Sequence, residues 1–264
     1  MTLDSVVEPA RCSRVERDAL TDELYEVHAQ IFDGVGPDAF RRYVIEPEGA
    51  RTRLQVFRDT HGDAVGYIAI HRFVRRVGTR DVLILRSEVG LLRPFRGRAP
   101  QARFVLLETA RAWLAHAGGP TYVFACPVHP GSYYGVTRRA CRSWPRPGET
   151  TPPQIAGLIS QLCRSFGLPS VSGADPLVRA VGWVTRESRE DRDYWARHPA
   201  AEVAFYRRTN PEYGRGHGLC MLVPVTPRLV LQGMLGTLGE RLRRWARLAT
   251  RRASARISTG SPAR

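Results

Sequence analysis

The chain has 264 residues, 43% of them hydrophobic and 9% aromatic, with a formal net charge of +15, enough apolar content to bury a core in one large domain or two small ones. No run of 18 apolar residues occurs, and the opening MTLDSVVEPARCSRV carries acid early and no apolar stretch, so neither a spanning helix nor a secretory leader is expected and the default is a soluble cytoplasmic protein. All forty basic residues are Arg, and residues 228–264 hold nine of them against one acid, Glu240, a pattern of uniform Arg usage and a basic tail that disfavours nucleic acid as the partner.

In chain order, TDELYEVHAQIF (21–32) places Leu24, Val27, His28 and Ile31 at helical spacing behind Thr21 as a candidate cap, and a second short helix over 37–45 opens with Pro37. Residues 53–58 and 65–74 are strand-like and separated by an HGD turn that suits a hairpin; VGTR at 77–80 then leads to a third strand over 82–92. Residues 101–117 carry apolar residues at 106, 107, 110, 113, 114 and 117 and stop at Gly118-Gly119, which predicts a helix. TYVFAC (121–126) is a short apolar strand and 131–139 a further helix. Residues 149–200 change character, with helices near 153–166 and 189–197, and are expected to form an insertion with its own small packing. Two closing strands are expected at 202–207 and 219–225, joined by a Gly-rich hairpin loop.

Two turns compete as an anion cradle, RPFRGRAPQA after the third strand and PEYGRGHGL near the end. Phosphate binding at a turn draws on the positive end of a helix behind it. Pro224 and Pro227 forbid a long helix after the second turn. The first turn does run into a helix, with Pro100 at its start and Arg96, Arg98 and Arg103 alongside. Five scattered cysteines, Cys12, Cys126, Cys141, Cys163 and Cys220, show no CxxC pair and predict reduced thiols with no metal site.

The order of two helices, a three-strand meander, an Arg-Gly-Arg turn, a long helix, a short strand, another helix and a final strand pair resembles the GNAT (N-acetyltransferase) superfamily, over roughly 10–145 and 201–226. The resemblance implies an α/β (α+β) fold: a mixed, mostly antiparallel central sheet flanked by helices in a 1–226 domain, with 149–200 inserted. It implies an acyltransferase that takes acetyl-CoA or another acyl-CoA as donor and an amine as acceptor. The family's pyrophosphate turn, Q/R-x-x-G-x-G/A, falls on Arg96-Gly97-Arg98-Ala99-Pro100-Gln101, where Arg96 and Gly97 match and Ala99, Pro100 and Gln101 depart. Leu91, Leu92, Arg96, Gly97, Arg98, Ala99, Gln101 and Ala102 are then the implied donor-binding residues. Glu88, on the strand before the turn, takes the place of the family's base, or else pairs with Arg86 or Arg75. Tyr133 and Tyr134 stand where the family's proton donor stands, with nothing in the sequence to choose between them.

Beyond residue 227, Leu231, Leu235, Leu238, Leu242, Trp245 and Ala249 form one apolar stripe flanked by Arg, a C-terminal basic amphipathic helix suited to an anionic membrane surface through 231–252 or to docking on its own domain. The expected location is then cytoplasmic with a membrane-touching tail. Two further readings stand beside the acyl-CoA enzyme: an acyltransferase fed by acyl carrier protein, and a non-catalytic module using its Arg-rich tail.

Overall fold

In a computed structural model of the chain, residues 2–3, 6–96 and 101–231 are described, Thr2, Leu3, Gln101 and Ala102 by backbone alone. After β1 (Thr2–Leu3) come α1 (Arg14–Ala29), β2 (Phe32–Asp33) and α2 (Pro37–Phe40), which continues as a π-helical turn Arg41–Ile45. The meander β3 (Arg51–Arg58), β4 (Ala64–Val77) and β5 (Arg80–Leu91) follows, then α3 (Gln101–Ala115), β6 (Thr121–Ala125) and α4 (Pro130–Thr137). The remainder is α5 (Pro153–Ser165), β7 (Val178–Ala180), β8 (Val184–Thr185), α6 (Arg189–Arg197), α7 (Ala201–Thr209), β9 (His217–Leu219) and β10 (Met221–Pro224). The central sheet runs β1-β3-β4-β5-β6-β10, antiparallel throughout except for the β5–β6 pair. No helix among the described residues is long and apolar enough to cross a membrane.

Strand alternation divides the residues of this sheet between two covers. Tyr67 and Ala69 of β4 pack with Leu24, Phe40 and Val44 of α1 and α2, whereas Ile68 and Ile70 pack with Phe104 of α3. Glu108 lies on that same buried stripe of α3 and is 1% exposed. The helix is therefore phased differently from the expectation: Phe104, Glu108 and Ala112 face the sheet, while Leu107 and Leu114 are exposed. The reason is electrostatic, because Arg53 of β3 and Arg72 of β4 reach the Glu108 carboxylate at 3.1 and 3.0 Å.

Three further expectations are corrected. Helix α1 begins at Arg14 with Ser13 as cap, and Ser13 and Glu16 exchange side-chain-to-backbone hydrogen bonds of 2.7 and 3.3 Å, a capping box that outcompetes Thr21; Thr21 lies inside the helix and donates to the Arg17 carbonyl. Residues 202–207 are helix, not strand: Val203 and Tyr206, three apart, are the buried pair of α7, and the Tyr206 hydroxyl donates to the Pro127 carbonyl at 2.9 Å. The Gly-rich stretch thus joins a helix to a strand, with Gly216 left-handed (φ 80) and its backbone against Gly182, and β10 pairs with β6 instead. Finally, α5 does not pack on its own. Its Ile159, Leu162 and Cys163 share a core with Phe73, Ile84, Phe124 and Tyr133. The tail stripe beyond Leu231 lies outside the described residues.

Candidate active site

The one parallel ladder among the described residues is short. Leu83, Ile84 and Leu85 pair with Thr121, Tyr122 and Val123 and there the register ends, although β5 continues to Leu91 against β4. Leu83 N–H donates to Pro120 O on the β6 side and Leu92 N–H to Val65 O on the β4 side. By strand alternation the N–H and C=O groups of Ser87, Val89 and Leu91 therefore point toward β6, into a wedge where no strand among the described residues meets them. Within this wedge the Leu91 carbonyl accepts from Arg96 Nε at 3.2 Å.

Glu88 stands beside the wedge, opposite Ala69, on the sheet face covered by α1 and α2. Arg86 Nη2 donates to Glu88 Oε1 at 3.1 Å, so the sequence alternative of an Arg86 pair holds and Arg75 is not the partner. The carboxyl is only 17% exposed, and burial pushes its pKa above the ordinary carboxylate value against the pull of Arg86. Next along the face, Gly90 lies opposite Tyr67, whose hydroxyl is 2.8 Å from His28 Nδ1. A Cβ at Gly90 would stand 2.6 Å from the Tyr67 ring, so only glycine leaves the ring its place.

In the other direction, His71 lies opposite Arg86. Its Nδ1 is 2.9 Å from Thr52 Oγ1, and its Nε2 is buried with no hydrogen-bond partner among the described residues. Burial and the neighbouring Arg86 lower its pKa to about 3, so the ring is neutral. A cavity of about 480 Å³ opens here, lined by His71, Phe73, Arg75, Arg86 and Phe166. Phe166, at the end of α5, stacks on Phe124 of β6 (5.5 Å between centroids) and meets Phe73 edge-on at 4.9 Å. His71 and Phe166 were not singled out in the sequence. A lone His in the apolar run VGYIAIHRFV was the one available signal for the first; the second is brought in from a segment expected to pack apart.

The two candidate tyrosines separate. Tyr133 is fully buried and its hydroxyl donates to the Pro145 carbonyl at 2.8 Å, and burial drives its pKa upward, which makes it a core residue rather than a proton donor. Tyr134 is half-buried beneath Trp195 and His198 of the α6 region, and retains partial access to solvent. His129 caps α4: its Nδ1 accepts from Gly131 N–H at 3.0 Å and its Nε2 meets Glu187, so both ring nitrogens are engaged. Cys126 lies 3.3 Å from Cys220, sulfur to sulfur. Leu91 is buried with Phe104, Leu92 is half-buried and Arg96 exposed. Gln101 and Ala102 form the first turn of α3, while Gly97, Arg98, Ala99 and Pro100 lie outside the described residues. Among the described residues no group of three or more His, Cys, Asp and Glu could hold a metal ion.

No protein-family profile matches the chain, and no curated protein does. Among solved structures it is similar to Tetrahymena GCN5 with a TM-score of 0.42 and 7% identity, over 86% of this chain and 98% of that one. A GCN5-related N-acetyltransferase from Kribbella flavida gives 0.36 and 16%, over 84% and 98%. A ribosomal-protein-alanine N-acetyltransferase from Brucella melitensis biovar Abortus 2308 gives 0.36 and 13%, over 57% and 97%. Likenesses this loose assign no activity to this chain.

Proposed function

We propose that this chain is a GNAT-like N-acyltransferase that moves an acyl group from an acyl-CoA to an amine by direct attack. The observation that carries the reading is the parting of the parallel strands after Leu85 and Val123 with a carboxylate at its edge. From Leu85 to Leu91 the wedge runs about 20 Å at roughly 3.3 Å per residue, and the backbone groups of Ser87 and Val89 offer an extended, amide-bearing pantetheine arm the pairing that a neighbouring strand would give. Helix α3 follows in the chain, and the backbone donors and dipole of a helix N-terminus favour a pyrophosphate. The donor supplies an activated thioester carbonyl. Glu88, with its proton affinity raised by burial, removes the proton from the attacking amine, and Tyr134 is the residue left to return one to the departing sulfur.

Calorimetric titration of acetyl-CoA, palmitoyl-CoA and free CoA into the full chain tests the donor site, with Arg96→Ala weakening binding and Ala99→Gly leaving or improving it. Glu88→Gln is expected to keep that binding and lower kcat at least about 100-fold, the ordinary scale of general-base catalysis. No heat with any of the three ligands removes the CoA reading and leaves acyl carrier protein as donor or a non-catalytic module. The Arg86–Glu88 ion pair favours that last alternative; unaltered turnover by Glu88→Gln would confine Glu88 to a structural role.

A further inference from the structure

The cavity beside Arg86 carries more charge logic than a generic amine needs. Arg42, Arg75 and Arg86 line it together with Glu46 and Glu48. Arg86 is held by Glu88, and Glu46 is held by Arg17 and Arg41 at 2.8 and 2.7 Å. Among the described residues Arg42, Arg75 and Glu48 have no ion pair, so the site keeps about one net positive charge. That balance matches a carboxylate monoanion and is too small for a dianionic phosphate.

Arg75 is built to read such a group. Its guanidinium carbon lies 4.9 Å from the Phe73 centroid and 5.3 Å from that of Phe166, with Nη1 donating to the Val74 carbonyl at 3.3 Å. Stacking against rings orients a guanidinium without consuming its other N–H groups, which remain for bidentate contact with a planar anion. His71 closes one wall of the cavity: it is 1% exposed, with its Nδ1 2.9 Å from Thr52 Oγ1. The volume, about 480 Å³, falls in the range of small-molecule sites.

The geometry points to an acceptor that is a small amine also carrying a carboxylate, an amino-acid-like molecule, with Arg75 reading the carboxylate. The amine's acylation rests on the acyltransferase reading; the recognition does not.

The test measures binding by calorimetry and thermal shift on the full chain, with and without acetyl-CoA. The probes are the twenty L-amino acids, then the carboxamide and the decarboxylated amine of the best binder, and inorganic phosphate. The acid is expected to bind at least about tenfold tighter than its carboxamide, the scale of one charge-assisted contact. Arg75→Gln should close that gap while leaving carboxamide and acetyl-CoA binding as they were. The proposal is overturned if no amino acid binds in either condition, if acid and carboxamide bind alike, if phosphate binds more tightly, or if the gap survives Arg75→Gln. An intact gap in a protein that gives no heat with acyl-CoA would sustain this assignment while defeating the acyl-CoA reading.

Discussion

The buried carboxylate of Glu108 is the sharpest place to test how this fold is held. It ties α3 to the sheet through Arg72 Nη2 at 3.0 Å and Arg53 at 3.1 Å, with Arg111 of its own helix at 2.7 Å. Glu108→Ala leaves the sheet arginines facing a vacated, water-poor site. Removing one partner of a buried ion pair costs about 3–5 kcal/mol. Because Arg53 and Arg72 remain 29% and 22% exposed and can turn toward water, the lower end, about 3 kcal/mol, is expected; the Arg111 pair is more exposed and adds under about 1 kcal/mol. That is a large part of a total stability of roughly 5–15 kcal/mol. Urea unfolding followed by far-UV circular dichroism should show the midpoint falling by about 1–2 M at ordinary m-values. Replacing Arg53, Arg72 and Glu108 together by Leu should recover most of the loss, since well-packed apolar groups often replace a buried ion cluster without penalty. A loss under about 1 kcal/mol for Glu108→Ala would refute the claim that this carboxylate sets the phase of α3.

Two more outcomes follow from the same face of the sheet. His28 is fully buried and burial lowers its pKa from 6.5 to about 4, so the unfolded chain takes up a proton that the fold resists; about 3 kcal/mol of stability present above pH 6.5 should be lost by pH 4. His71, lowered to about 3, acts in the same direction and extends the decline below pH 4. Chemical denaturation across pH 7 to 4 checks this, and a profile unchanged by His28→Gln, which cannot titrate, would defeat it. At Gly90 an added methyl would meet Tyr67 Cε1 at 2.6 Å and Cζ at 2.9 Å. Gly90→Ala should therefore lower stability by about 1–3 kcal/mol, read by thermal unfolding, and a neutral result would mean that the Tyr67 ring moves freely despite its bond to His28.

Local chemistry made much of the architecture legible. The three meander strands follow from β-branched and aromatic runs, and their two turns from Gly62 and Gly78, both left-handed in the fold (φ 97 and 59), a conformation that glycine adopts without strain. Pro37 and Gly118 likewise mark real helix ends. Where the reading failed, partners distant in sequence decided the matter. AEVAFYRRT has strand-forming residues, yet Tyr206 finds the Pro127 carbonyl and Tyr133 as a helix. Helix α3 was expected to bury Leu107 and Leu114, but two sheet arginines draw Glu108 inward in their place.

For the site the division is similar. Glu88, the Arg-rich turn and the helix behind it are neighbours in the chain, so their spacing alone could propose a donor site and a base. That Tyr133 is spent on Pro145, that Arg86 holds Glu88, and that His71, Arg75 and Phe166 line one cavity depend on which way each side chain leaves its strand and on which segment covers it. Sequence determines most of the elements, because turns, caps and periodicity act over a few residues; tertiary packing decides the rest and which faces meet, because burial and charge pairing are settled between residues as many as 153 positions apart.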